Sequence, residues 1–235
     1  MGMEGKLRQI SEFELAAYRK NPASFYSQLK SRYTSGSIGD FTSAMLKFQQ
    51  SPLAKRIQSL GASGQRLAPE DLEELRRQQE AILNEYRAGF EEMQTEMMGL
   101  SKDGSQLSLY KDWHVLHYLL TGKGWEPTDS PMGWAIMGAA ELPDAQETMG
   151  YGPARFLTPG QVREVKAALV DCAFEEKIAA LDPDAAKAAK IYGASHLDRV
   201  TEPDEKDALI DYFKLLRDFY ETAADKGNAV IMWIE

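Results

Sequence analysis

Apolar residues along the chain recur mostly at three- and four-residue steps, the spacing of helices with one buried face, and short strand-like stretches stand near the two ends. From Met3 to Ile10, Leu7 and Ile10 lie among long polar side chains, and a helix-start signal follows, so a short strand is expected there. That signal is Ser11 with Glu14 three residues on, a capping box in which hydroxyl and carboxylate each satisfy a backbone N–H that has no partner inside the helix. The helix should run to about Lys20. Asn21-Pro22 restarts the chain as N-cap and first helical residue, with Phe25, Tyr26 and Leu29 spaced as an apolar stripe.

Thr34-Ser35-Gly36-Ser37 and Gly61-Ala62-Ser63-Gly64 read as loops, and Phe41, Met45 and Phe48 between them suggest a short helix. From Pro69 to about Met98, Leu72, Leu75, Ile82, Tyr86, Phe90, Met93 and Met97 form one face of a long amphipathic helix amid Glu, Arg and Gln. Seven-residue spacing over that length also suits a coiled coil, but Gly89 and the polar Gln79 interrupt the seam, which favours packing on the chain's own core. Lys102-Asp103-Gly104-Ser105 breaks the pattern. A second helix is expected over about Ser108 to Leu120, closed by Gly122 and Gly124.

Trp125 to Gly152, rich in proline and glycine, reads as irregular, with a short small-residue helix over Gly133 to Ala140; loops this rich in Trp, Tyr and Gly often line sites. Arg155-Phe156-Leu157 is expected as a strand. Thr158, Pro159 and Gln161 then supply an N-cap, a first-turn proline and a capping-box partner, after which Val162, Val165, Leu169 and Cys172 share a face. A last helix from Pro203 to about Ala224 should bury Leu209, Tyr212, Phe213, Leu216 and Tyr220, with Lys226-Gly227 as its stop. Ala229 to Ile234 is almost wholly apolar, which implies a strand covered on both faces. Together these elements predict a helix-rich α+β fold whose small sheet includes the N- and C-terminal strands.

Composition narrows the picture. A chain of 235 residues with 43% hydrophobic residues can bury a core of its own. With no apolar stretch behind the first charges and no run of about 18 apolar residues, a cytoplasmic location is expected. A lone cysteine, Cys172, excludes an intramolecular disulfide and a zinc site built on several thiolates. The net charge of −9 opposes binding to nucleic acid or to anionic membranes and favours a basic protein partner, although such a charge also simply confers solubility.

A P-loop, a dinucleotide-binding glycine pattern, a nucleophile elbow and an HExxH helix are all missing, which removes the enzyme classes with readable signatures. His114 and His117 lie three apart on the expected helix and could join His196 or Asp112 around a metal, yet no carboxylate completes a known spacing, so no metal or cofactor is expected. The structural alternative packs His117 beside Trp113, its ring N–H on a buried carbonyl, with His114 facing solvent. Trp113, His117, Trp125, Tyr151 and Arg155 are the candidate pocket: aromatic walls with an imidazole and a guanidinium suit an anionic or planar ligand, whereas aromatic residues at these positions also suit a core. Cys172, on an apolar seam, is expected to be buried and inert, and the acidic run Glu202 to Glu205 to serve mainly as helix capping.

Four stretches carry a family resemblance: Met1-Gly2-Met3 with Gly5, the run Trp113-His114-Val115-Leu116-His117-Tyr118-Leu119-Leu120-Thr121-Gly122, Ser130-Pro131 through Gly138, and Gly150-Tyr151-Gly152-Pro153-Ala154-Arg155. Together they resemble the YfbM-like family of bacterial proteins of unknown function. The resemblance implies a small cytoplasmic α+β protein and no established activity. It covers the first thirty or so residues and most of the chain from Leu107 onward, so residues 1–235 are read as one YfbM-like domain with a helical insertion at about 36–104. Two functions follow as expectations. One is a protein-binding module of immunity or antitoxin type that covers a basic surface; the other is an enzyme or small-ligand binder using the candidate pocket, with His117 as acid or base.

Overall fold

The computed structural model describes residues 2–34, 99–101, 103–126, 128–142, 150–192 and 203–235, together with Glu73, Arg76, Arg77 and Glu80. The chain divides into two compact units, Met1–Ser27 with Thr95–Glu235, and Gln28–Gln94. In the second, Glu73, Arg76, Arg77 and Glu80 are helical and exposed. Beyond them, the expected amphipathic helix from Pro69, the helix around Phe41 to Phe48 and the loops after Thr34 and at Gly61 lie outside the described residues.

The first unit is an α+β fold around a five-stranded antiparallel sheet of order β2-β1-β5-β4-β3. Its strands are β1 (Gly5–Ile10), β2 (Gln106–Tyr110), β3 (Ala140–Glu141), β4 (Arg155–Leu157) and β5 (Ala229–Ile234). The terminal strands pair in the middle of the sheet from Gly5↔Ile234 to Ile10↔Ala229, and Glu4 and Glu235 extend the ladder by exchanging backbone hydrogen bonds of 2.8 and 3.0 Å. Central position explains the sequence of β5: both of its faces are covered, and five of its six residues are buried.

Two helices, α1 (Glu12–Lys20) and α2 (Pro22–Thr34), follow β1. The Ser11–Glu14 capping box forms as the sequence indicates. Phe25 meets Trp233 edge-on at 5.7 Å and Arg19 lies over the Phe156 ring, which puts this helical layer on the sheet face that carries Trp233 and Phe156. The alternate residues Leu7, Leu157, Val230 and Met232 turn the other way, into a core shared with the remaining helices. Those are α3 (Trp113–Thr121), α4 (Pro131–Met137), α5 (Pro159–Val170), α6 (Phe174–Ala179), α7 (Pro183–Ala188) and α8 (Pro203–Asp225). From α8, Leu209, Phe213, Leu216 and Tyr220 are buried as their spacing requires, joined by Phe219 and Ala223, while Tyr212 stays half-buried against the core.

Where the structure departs from the expected elements, the reason is local. Ser108–Tyr110 belong to β2 rather than to a helix: Gln106 to Tyr110 alternates, Leu107 and Leu109 point into the core, and the edge of β1 supplies hydrogen-bond partners that a helix start would leave unused. Tyr110, at φ 44, and Lys111-Asp112 turn the chain into α3. The short helix expected over Gly133 to Ala140 begins two residues earlier, because Ser130 caps it and Pro131 opens it, and it ends at Gly138, leaving Ala140 to β3. At the Thr158–Gln161 capping box, α5 begins where expected; Cys172 lies beyond its end, half-buried, its thiol pKa raised by burial against an opposing pull from Lys177. The small helices α6 and α7 carry too few turns for their periodicity to be read from the sequence.

Candidate functional site

On the core-facing side of the sheet, antiparallel register lines up Leu7, Met232, Arg155 and Glu141 across β1, β5, β4 and β3. A cavity of ≈ 190 Å³ opens above this row. Its walls come from Trp113 at the start of α3, Trp125 in the loop after it, Ile136 and Met137 at the end of α4, and Tyr151 and Pro153 ahead of β4.

Trp113 is fully buried and sits on Gly5, where an added Cβ would stand 2.5 Å from the Trp113 Cβ. Glycine at that strand position is what lets α3 approach the sheet. Gly122 ends α3 in the left-handed conformation, and the chain turns back so that the Trp125 ring stands edge-on to Trp113 and to His114, both at 5.1 Å. Trp125 remains 42% exposed and Tyr151 54% exposed, so these two rings border solvent while Trp113 closes the interior. The Tyr151 backbone N–H donates to the Ile234 carbonyl at 3.0 Å, which ties this segment to the end of β5.

Arg155 projects from β4 beside Gly138, a residue with φ +66 whose added Cβ would meet Arg155 Cβ at 2.8 Å and Met232 Sδ at 2.9 Å. Only glycine meets both the conformation and the spacing there, and α4 thereby roofs the guanidinium stem. Arg155 Nη1 pairs with Glu141 Oε1, its direct neighbour across β3 and β4, with side-chain exposures of 18% and 57%. Arg155 Nε and Trp113 Nε1 are buried without a hydrogen-bond partner among the described residues.

The histidines are arranged differently from either expectation. His114 is buried, not solvent-facing: its ring stacks on Trp113 at 4.6 Å and 5°, and its Nδ1 accepts from the Tyr192 backbone N–H at 2.9 Å. Residue i+3 on α3, His117, is also fully buried, does not line the cavity, and offers neither ring nitrogen a hydrogen-bond partner among the described residues. The predicted carbonyl bond is therefore missing, and the stack on the indole belongs to His114. Burial, and secondarily the neighbouring His114, hold the His117 pKa down at about 4; burial also lowers that of His114, with the Gly124 backbone pulling the other way. A neutral imidazole sealed from the cavity cannot exchange protons with a molecule inside it.

Of the five residues singled out in the sequence, Trp113, Trp125, Tyr151 and Arg155 line one cavity and His117 stands apart from it. Glu141 went unrecognised because a two-residue strand has no periodicity, and Met232 because it reads only as one position in an apolar run. Among the described residues no three His, Cys, Asp or Glu side chains are grouped to hold a metal ion, and His196 lies outside them. No helix among the described residues is long and apolar enough to cross a membrane. Chemically, the cavity offers aromatic faces, aliphatic walls, the Arg155–Glu141 ion pair and Lys6.

The architecture is thus an α+β domain with an aromatic-walled cavity on one face of its sheet. The chain belongs to the family described as Domain of unknown function (DUF1877), which matches residues 59–233, well over half of its length. It is also similar to the solved structure of YfbM from Escherichia coli, titled a protein of unknown function, at 14% identity and a TM-score of 0.47 over 99% of each chain. The YfbM-like resemblance carried by the tryptophan-histidine helix and the flanking segments is borne out by the family match. No curated protein matches the chain.

Proposed function

We propose that the chain is a small-molecule-binding protein and that the cavity between Trp113, Trp125, Tyr151 and Arg155 is its ligand site. The observation that carries this reading is the convergence, on one cavity of ≈ 190 Å³, of four chemically suitable side chains from separate segments of the chain. Sites for small ligands combine apolar and aromatic walls with a few fixed polar groups, which is the composition of this lining. An acid–base role for His117 is not part of the proposal, since that ring is sealed in the core. The alternative, a basic protein partner, rests on the net charge of −9 and on the central insertion, neither of which fixes a contact surface.

Chemical-shift mapping of the full chain with a library of small ring compounds tests the proposal. Binders should shift the resonances of Gly5, Trp125, Tyr151 and Arg155 together and saturably. Shifts confined to other surfaces, or none across the library, would count against a ligand site here.

A further inference from the structure

The cavity's polar equipment says which chemistry it takes. Two cationic residues line it, Arg155 and Lys6, and the Lys6 amine is engaged by Ser108 at 3.0 Å, Glu4 at 3.1 Å and Glu235 at 3.7 Å. The Arg155 charge is in turn balanced by Glu141, held opposite it by strand register. An anionic ligand would meet a guanidinium whose charge is already balanced through Nη1 and a carboxylate that repels it. A ligand that presents a hydrogen-bond acceptor to Arg155 and, beside it, a donor to Glu141 keeps the ion pair and adds two charge-assisted hydrogen bonds.

The rest of the lining restricts where such a ligand can be polar. Ile136, Met137, Pro153, Met232 and Ile234 supply no side-chain hydrogen bonds, so polar groups spread around a ligand, as on a sugar ring, would be desolvated against them. A flat heterocycle collects its polar atoms on its edge and leaves both faces apolar, suited to the half-exposed rings of Trp125 and Tyr151. Resting on the reading of the cavity as a ligand site, we propose that it takes a neutral planar heterocycle bearing adjacent C=O and N–H groups, a lactam edge such as nucleobases carry, with the carbonyl on Arg155 and the N–H on Glu141.

Titration of the full chain with guanosine, uridine, benzoate and methyl glucoside, followed by tryptophan fluorescence, separates the alternatives. The two nucleosides should quench saturably, and benzoate and the glucoside should not. In Glu141→Gln the order should reverse: nucleoside affinity falls about tenfold or more as the charged acceptor is lost, and benzoate binding appears as Arg155 is released. Glu141 is 57% exposed on a two-residue edge strand, so this variant should melt within a few degrees of the parent, which a thermal scan checks. Benzoate binding the parent chain more tightly than either nucleoside would overturn the lactam assignment and leave the ligand site standing. So would preferential binding of the glucoside. Silence from all four probes would also overturn it, and the chemical-shift map then reports separately on whether the cavity binds ring compounds at all.

Discussion

Two buried polar groupings flank β1, and they are satisfied to opposite degrees. At one end of the strand the Gln9 side chain, 6% exposed, donates to the carbonyls of Gly104 at 2.6 Å and Phe219 at 3.2 Å and accepts from Asn228 at 3.1 Å. At the other end, on α3, whose Trp113 sits over Gly5, the Trp113 indole N–H, His114 Nε2 and both nitrogens of His117 have no partner among the described residues. The first is a structural clamp, joining β1 to the turn before β2, to α8 and to the approach to β5 with its amide hydrogen-bonded at both ends. Unmatched polar groups of the second kind each oppose folding by about 1–3 kcal/mol, so aromatic stacking and burial must hold the start of α3 in place. The unsatisfied end adjoins the cavity and the satisfied end does not.

Acidification should separate the two ends most strongly. The folded His117 value of about 4 lies below the ordinary imidazole value of 6.5, so between those limits the unfolded chain holds a proton that the folded chain does not. The associated stability is complete above about pH 6.5 and is lost as pH falls toward 4, by as much as about 3 kcal/mol. Urea unfolding at several pH values measures it, and His117→Met should reduce the slope in that window, leaving the part that His114, also lowered by burial, contributes. Carboxylates with lowered values, such as Asp103 at about 2, act in the same direction but mostly below it, as they do in the variant.

At pH 7 the contrast sharpens with a shared replacement. Gln9→Met keeps side-chain volume but removes the side-chain partners of the buried Gly104 carbonyl and the Asn228 amide and a second donor to the Phe219 carbonyl inside α8, and should cost about 2 kcal/mol. His117→Met strands nothing, and its unfolding free energy should stay within about 1 kcal/mol of the parent. Equal losses in the two variants would contradict the asymmetry. Smallest in stability is Tyr151→Ala, at a half-exposed position, which should change unfolding by no more than about 0.5 kcal/mol yet weaken guanosine binding about fivefold or more.

Much of this fold was legible in the sequence because its signals are local. Ser11 with Glu14, and Thr158 with Pro159 and Gln161, start helices through contacts within a single turn, and the composition of β5 reports burial on both faces. The strand β2 was not legible, because Leu107 and Leu109 suit a strand or a helix equally until the edge of β1 decides between them. For the site, aromatic residues and arginine stood out by type. The Glu141 partner depends on pairing between two very short strands, and the burial of His114 and its stack on Trp113 were missed because helix spacing says which residues share a face, not which face the core covers.

A crystal of the full chain soaked with guanosine addresses the central claim most directly. The account expects the base against Trp125 and Tyr151, its carbonyl toward Arg155 and its ring N–H toward Glu141. Well-occupied density for the base at a different surface, with the space between these side chains unaltered, would contradict it.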